Sequence, residues 1–174
     1  MIPEIDELAR QSLKEFIRDL FVRDWQGRRE NEARSLYAFG YLAPRCKPGH
    51  FLHDMTQIAL DVPVPQIDPE IQRKLRGSLK PKKDVAKDLI IWPEAWMTCW
   101  KDGNPVHYPS ALMEWKFNTR TVSSYDVSWL EAFSRGHREF VGYALSVDKQ
   151  RRAFALSCTR VYDGKAESEW LLIR

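Results

Sequence analysis

The sequence predicts an α/β (α+β) fold in which helices flank a mixed central sheet. Three observations predict it. Apolar residues near the start recur at three- and four-residue steps. Several later segments are apolar or alternating over strand lengths, with turn signals between them. A helical pattern then separates two of those strands, as a right-handed crossover between parallel neighbours requires. The 174 residues suit one domain over 1–174, and a 44% hydrophobic, 12% aromatic composition excludes a mostly disordered chain.

The first helix is read from Ile5, Leu8, Ala9, Leu13, Phe16, Ile17, Leu20 and Phe21, and Gly27 breaks it, leaving 1–26 as an N-terminal helix. A second apolar face follows at Ala33, Leu36, Tyr37, Gly40 and Tyr41, and Pro44 and Pro48 end it. In Met55–Val64, Ile58, Leu60, Val62 and Val64 alternate with Gln57, Ala59, Asp61 and Pro63, the period of a strand. Pro63 and Pro65 put its end at a sheet edge or already outside the sheet. A short helix is expected around Pro69–Leu75. Asp88–Trp92 is a short apolar strand stopped by Pro93, Lys101–Asn104 is a turn, and Ser110–Phe117 resumes strand character. Asp126–Arg138 is helical, with Trp129, Leu130 and Phe133 on one side and Gly136 near its end. Phe140–Val147 and Ala153–Val161 are strands, and Asp163-Gly164-Lys165 turns the chain into Trp170–Ile173. The early strands lack a crossover helix and are expected to be antiparallel.

Composition narrows the function classes. No apolar run approaches a membrane span, and the acidic start Met1-Ile2-Pro3-Glu4-Ile5-Asp6 is no signal peptide. Asp6, Glu7, Glu15 and Asp19 argue against an anionic membrane surface. Cys46, Cys99 and Cys158 are few and far apart, which suits a reducing compartment. A cytoplasmic protein is the expectation. Gly-x-Ser-x-Gly and phosphate-cradling glycine loops are absent, which sets aside serine hydrolases and nucleotide-driven enzymes. Cys46, His50 and His53, with Asp54 or Cys99, are potential zinc ligands, but their spacing matches no common finger.

The formal charge of +3 is less informative than its distribution. Between Glu70 and Asp88 seven basic residues stand against three acids, a net +4, while the rest of the chain is net −1. Such a stretch can contact phosphates or form a solvated face.

Strand alternation places Glu114 and Lys116 on one face with Leu112, and Met113, Trp115 and Phe117 on the other. A carboxylate and an ammonium on an apolar strand require pairing, hydration or a metal. Asp88 opens the other apolar strand. If the two strands are neighbours, Asp88 and Glu114 converge as hard oxygen donors suited to Mg²⁺, with Lys116 beside them to orient or deprotonate a water or to neutralise phosphate.

This order of Asp88-Leu89-Ile90-Ile91, Glu114-Trp115-Lys116, a helix and a strand resembles the PD-(D/E)xK nuclease superfamily, whose fold is called restriction-endonuclease-like. The resemblance covers about residues 28–160. It implies an αβββαβ core, here with an extra N-terminal helix and C-terminal strands. It implies a metal-dependent nuclease hydrolysing phosphodiester bonds in DNA, as an endonuclease, with Mg²⁺ or Mn²⁺ as cofactor. Asp88, Glu114 and the backbone carbonyl of Trp115 would bind the metal, and Lys116 would act on the water and scissile phosphate. Many relatives add a Glu from the first core helix. Glu32 is the best match and Glu30 the runner-up. Tyr125 or His137 would be the polar residue that some relatives place on the next helix. Arg73, Lys74, Arg76, Lys80, Lys82, Lys83 and Lys87 would hold phosphates.

Two features depart from the pattern. Lys87 stands where the eponymous Pro is expected, and 25 residues separate Asp88 from Glu114. Pro93–Pro109 must then be an excursion, whose Trp96, Trp100 and His107 either contact substrate or cover the sheet edge. DNA is the expected partner, RNA stays open, and small relatives imply a homodimer. The alternative from another class is a nuclease-fold nucleic-acid-binding or assembly module that no longer cuts and works in a larger complex.

Overall fold

The computed structural model describes residues 1–76, 82–151 and 153–174, with the Arg76 side chain set aside. One six-stranded mixed sheet organises the chain, in the order β1-β2-β5-β6-β7-β8. Its strands are β1 (Ile58–Pro65), β2 (Asp84–Ile91), β5 (Ala111–Phe117), β6 (Val141–Gln150), β7 (Ala153–Tyr162) and β8 (Lys165–Ile173). A small ribbon, β3 (Trp100–Lys101) with β4 (Asn104–Pro105), is set into the excursion between β2 and β5. β5 and β6 are parallel, and every other neighbouring pair in the sheet is antiparallel.

Helices cover both faces. α1 (Ile2–Val22) buries Ile5, Ala9, Leu13, Phe16, Ile17 and Leu20, the stripe expected of its periodicity. α2 (Glu30–Tyr37) continues through a π-helical turn at Ala38–Leu42 and a 3₁₀ turn at Ala43–Arg45, where Pro44 stops it. Both pack on the side of Met113, Trp115 and Phe117. α3 (Pro69–Arg76) and α4 (Ser124–Gly136) lie on the other side, where Trp129, Leu130 and Phe133 bury against Ile90, Leu112 and Ala144. α4 is the crossover between parallel β5 and β6. Gly142 lets it come close, because a Cβ there would lie 2.7 Å from Leu130 Cδ2. None of the described helices is long and apolar enough to cross a membrane.

Several boundaries differ from the sequence reading. β2 begins at Asp84, so Asp88 lies inside the strand instead of opening it. On α2 and its π turn the buried residues are Ala33, Arg34, Tyr37, Ala38 and Leu42, whereas Leu36 and Gly40 are exposed. β8 starts at Lys165, directly after the Asp163-Gly164 turn. Ile58 and Leu60 pack on the α1 side, but Val62 and Val64 join the α4-side cluster. Strand alternation alone would keep all four together. The change falls at Asp61, whose φ of 55° is left-handed and turns the strand over.

Candidate active site

The sheet forks where the candidate residues meet. β2 pairs with β5 at Leu89↔Met113, Ile90↔Leu112 and Ile91↔Ala111. Beyond Leu89, β2 stays with β1 as far as Pro65↔Asp84, while β5 stays with β6 as far as Phe117↔Val147. Asp88 and Glu114 sit at the parting. There the Asp88 side chain takes over from the ladder, its Oδ2 accepting from the Trp115 backbone N–H at 2.8 Å.

Each carboxylate has a protein cation. Asp88 Oδ1 accepts from Arg34 Nη1 at 2.7 Å. The same guanidinium donates through Nη2 to Asp61 Oδ2 at 2.6 Å. Arg34 is almost fully buried, and among the described residues its Nε has no hydrogen-bond partner. Glu114 Oε1 accepts from the Lys87 ammonium, which also lies 3.5 Å from the centre of the Trp129 ring. Both members of this pair are buried. Burial pushes the Glu114 carboxyl up to about 7 although Lys87 pulls it down. Burial likewise lowers the Lys87 ammonium against the pull of Glu114, Asp126 and Asp88.

Lys116 is half-buried on the same face as Glu114. Its ammonium donates to the Trp115 carbonyl at 2.8 Å and stands 3.6 Å from Asp126 Oδ2. Burial alone would lower its pKa, but Asp126, Glu30, Asp88 and Glu114 outweigh it and hold it above the ordinary lysine value. These acids favour the charged form of Lys116. Asp126 is positioned by the start of α4, where the Ser123 hydroxyl accepts from the Asp126 amide at 3.2 Å.

The two candidate acids of α2 separate clearly. Glu32 is exposed, and its Oε2 accepts from the amides of Arg28 at 2.9 Å and Arg29 at 3.1 Å. It caps the helix and is not brought to the fork. Glu30 is. Burial raises its carboxyl, Lys116 lowers it, Asp88 raises it, and Arg34 and the Phe117 amide lower it again. From α4, Asp126 belongs to this charge set. His137 ends the helix, its ring tilted against Tyr108 with ring centroids 4.0 Å apart.

The basic stretch divides. Arg73 and Lys74 on α3 are exposed, as are Lys82 and Lys83 ahead of β2. Lys83 donates to the Gly103 carbonyl at 2.6 Å, which ties the ribbon turn to this arm of the fork. Lys87 is not part of that surface, because its ammonium is buried on Glu114. Lys80 and the Arg76 side chain lie outside the described residues. In the excursion, Trp96 is 83% exposed, whereas Trp100 Nε1 donates to the Pro63 carbonyl at 2.8 Å against the edge strand. The zinc ligands do not assemble. Cys46 packs against the α1-side cluster and Cys99 is buried in the α4-side cluster.

Among the described residues no three His, Cys, Asp or Glu side chains group as a metal site. The donors at the fork still fit a hydrated Mg²⁺, which takes one or two carboxylates and keeps most of its waters. Asp88, Glu114 and the Trp115 carbonyl are hard oxygens on adjoining strands. Arg34 and Asp61 were missed in the sequence. Their only sequence signal is a basic residue within the apolar pattern of α2 and an acid within an alternating strand. No protein family, curated protein or solved structure matches the chain.

Proposed function

We propose that the chain is a Mg²⁺- or Mn²⁺-dependent nuclease that hydrolyses phosphodiester bonds in DNA, with α2, β1, β2, β5, α4 and β6 as a restriction-endonuclease-like core. The observation that carries this reading is the meeting of Asp88 with Glu114-Trp115-Lys116 at the fork, where the Trp115 amide binds Asp88 directly. A helix, three antiparallel strands, a crossover helix and a parallel strand, interrupted by α3 and the β3–β4 ribbon, support the reading.

Asp88, Glu114 and the Trp115 carbonyl would hold the cation. When bound, it would acidify a water and stabilise negative charge on phosphorus. Lys116 supplies a fixed positive charge for a phosphate oxygen. Glu30 is the α2 acid within this charge set. Arg73, Lys74, Lys82 and Lys83 form an exposed basic arm leading to Asp88. Lys83 precedes Asp88 by five residues, about 17 Å along a strand, or roughly five nucleotide steps of a B-form strand.

A specific observation favours a second reading, a nucleic-acid-binding module that does not cut. Arg34 on Asp88 and Lys87 on Glu114 already neutralise both carboxylates. Supercoiled, linear, branched and single-stranded DNA incubated with Mg²⁺ or Mn²⁺ separates the two. The nuclease reading expects cleavage that Asp88→Asn and Lys116→Met abolish. Salt-sensitive binding with no cleavage under either metal supports the module instead.

A further inference from the structure

The Arg34 guanidinium joins three elements. It starts on α2, donates to Asp88 on β2 at 2.7 Å and to Asp61 on β1 at 2.6 Å. A buried arginine needs one carboxylate to be neutralised, and Asp88 alone meets that need. The second is placed at some cost. Asp61 sits in the middle of β1 with a φ of 55°, in the left-handed region that side chains with a Cβ rarely adopt. Its side chain is 66% exposed, so it is an anchor on the open rim of the fork and not part of the core.

Asp88 is also one of the oxygens placed to hold a divalent cation. Oδ2 is engaged by the Trp115 amide, so Oδ1, the atom on Arg34, is the one a cation would take. A guanidinium and a divalent cation cannot share that oxygen without strong repulsion. We infer that Arg34 is a movable counter-charge on Asp88, and that Asp61 is the residue that holds it when a divalent cation takes Oδ1. Arg34 and Asp61 are thus positioning residues that set the divalent affinity of the fork. With Arg34 on both acids, Asp88 keeps its orientation before the cation arrives. With Arg34 drawn to Asp61, the positive charge stays at the rim, within reach of a phosphate. This inference rests on the metal-dependent reading above.

The test is titration of the whole chain with Mn²⁺ in the absence of nucleic acid, read by calorimetry, so that activity is not the signal. Asp61→Asn leaves Asp88 as the sole carboxylate hydrogen-bonded to Arg34 among the described residues, and Mn²⁺ affinity is expected to fall about tenfold. Arg34→Gln frees Asp88, and affinity is expected to rise about tenfold over the wild type, with Asp88→Asn removing the binding in either background. If Arg34→Gln fails to fold, Asp61→Asn, a change at an exposed side chain, decides alone. Unchanged Mn²⁺ affinity in Asp61→Asn overturns the inference, as does a folded Arg34→Gln protein that binds no tighter than the wild type. DNA cleavage that needs metal alongside unchanged affinity in Asp61→Asn sinks this inference and leaves the nuclease reading standing. Absence of Asp88-dependent binding in both the wild type and Arg34→Gln sinks both.

Discussion

Lys87 and Glu114 are the most consequential single residues of the fork. Each is buried, and each would be a large liability without the other. Lys87→Met is expected to destabilise the fold by about 3–5 kcal/mol, because it strands a buried carboxylate. Lys87→Met with Glu114→Leu should recover most of that loss, since an apolar pair of similar volume needs no partner. Urea unfolding of the two proteins checks both statements.

Protonation of Glu114 gives a second prediction at this scale. Burial raises its carboxyl from 4.5 to about 7. Between those values the folded protein holds a proton that the unfolded chain has released, so the Glu114 contribution to stability falls as pH rises through that window. Metal binding runs the other way. A proton must leave before a divalent cation can bind, so Mn²⁺ affinity should rise up to tenfold per pH unit below about 7 and level off above it. Calorimetric titrations at several pH values read the slope, and an affinity that ignores pH would remove Glu114 from the ligand set.

Among the elements, the fork depends on how closely α4 sits on β6. Gly142 permits that approach, and Leu130 occupies the space a Cβ would fill. Gly142→Ala is expected to cost about 1–3 kcal/mol by overpacking, measured as a lower urea midpoint. It should also disturb Lys116, because Asp126 on the same helix stands opposite its ammonium.

The elements also show what could be read from sequence. The division of β5 into an apolar side with Met113, Trp115 and Phe117 and a mixed side with Glu114 and Lys116 follows from alternation, and the structure has it. The placement of Asp61 and Val62 was not readable that way. A left-handed residue inside β1 interrupts the period, and nothing in Leu-Asp-Val-Pro announces it. The distinction between Glu30 and Glu32 was hidden for a similar reason. It turns on where α2 starts, since Glu32 is drawn back to the amides of Arg28 and Arg29 at the helix entrance. Arg34 reaches acids 27 and 54 residues away, contacts that exist only once the sheet has formed.

For the molecule as a whole, charge and topology point to the same place. The fork opens between an arm of β1, β2 and α3 and a body of β5 to β8, and the exposed cations Arg73, Lys74, Lys82 and Lys83 belong to the arm. Lys82→Ala with Lys83→Ala should weaken DNA binding and flatten its salt dependence by roughly two units of log–log slope, without a change in fold. Fluorescence anisotropy at several salt concentrations measures that slope.

The activity proposed for the fork is DNA cleavage. The most direct measurement is the rate of Mn²⁺-dependent cleavage of supercoiled DNA by the wild type beside Asp88→Asn, Glu30→Gln and Glu32→Gln. The expected result is cleavage by the wild type, loss of about a hundredfold or more in Asp88→Asn, a clear loss in Glu30→Gln, and a nearly wild-type rate in Glu32→Gln. Cleavage that persists in Asp88→Asn, or a wild-type protein that cuts under no condition, would contradict it.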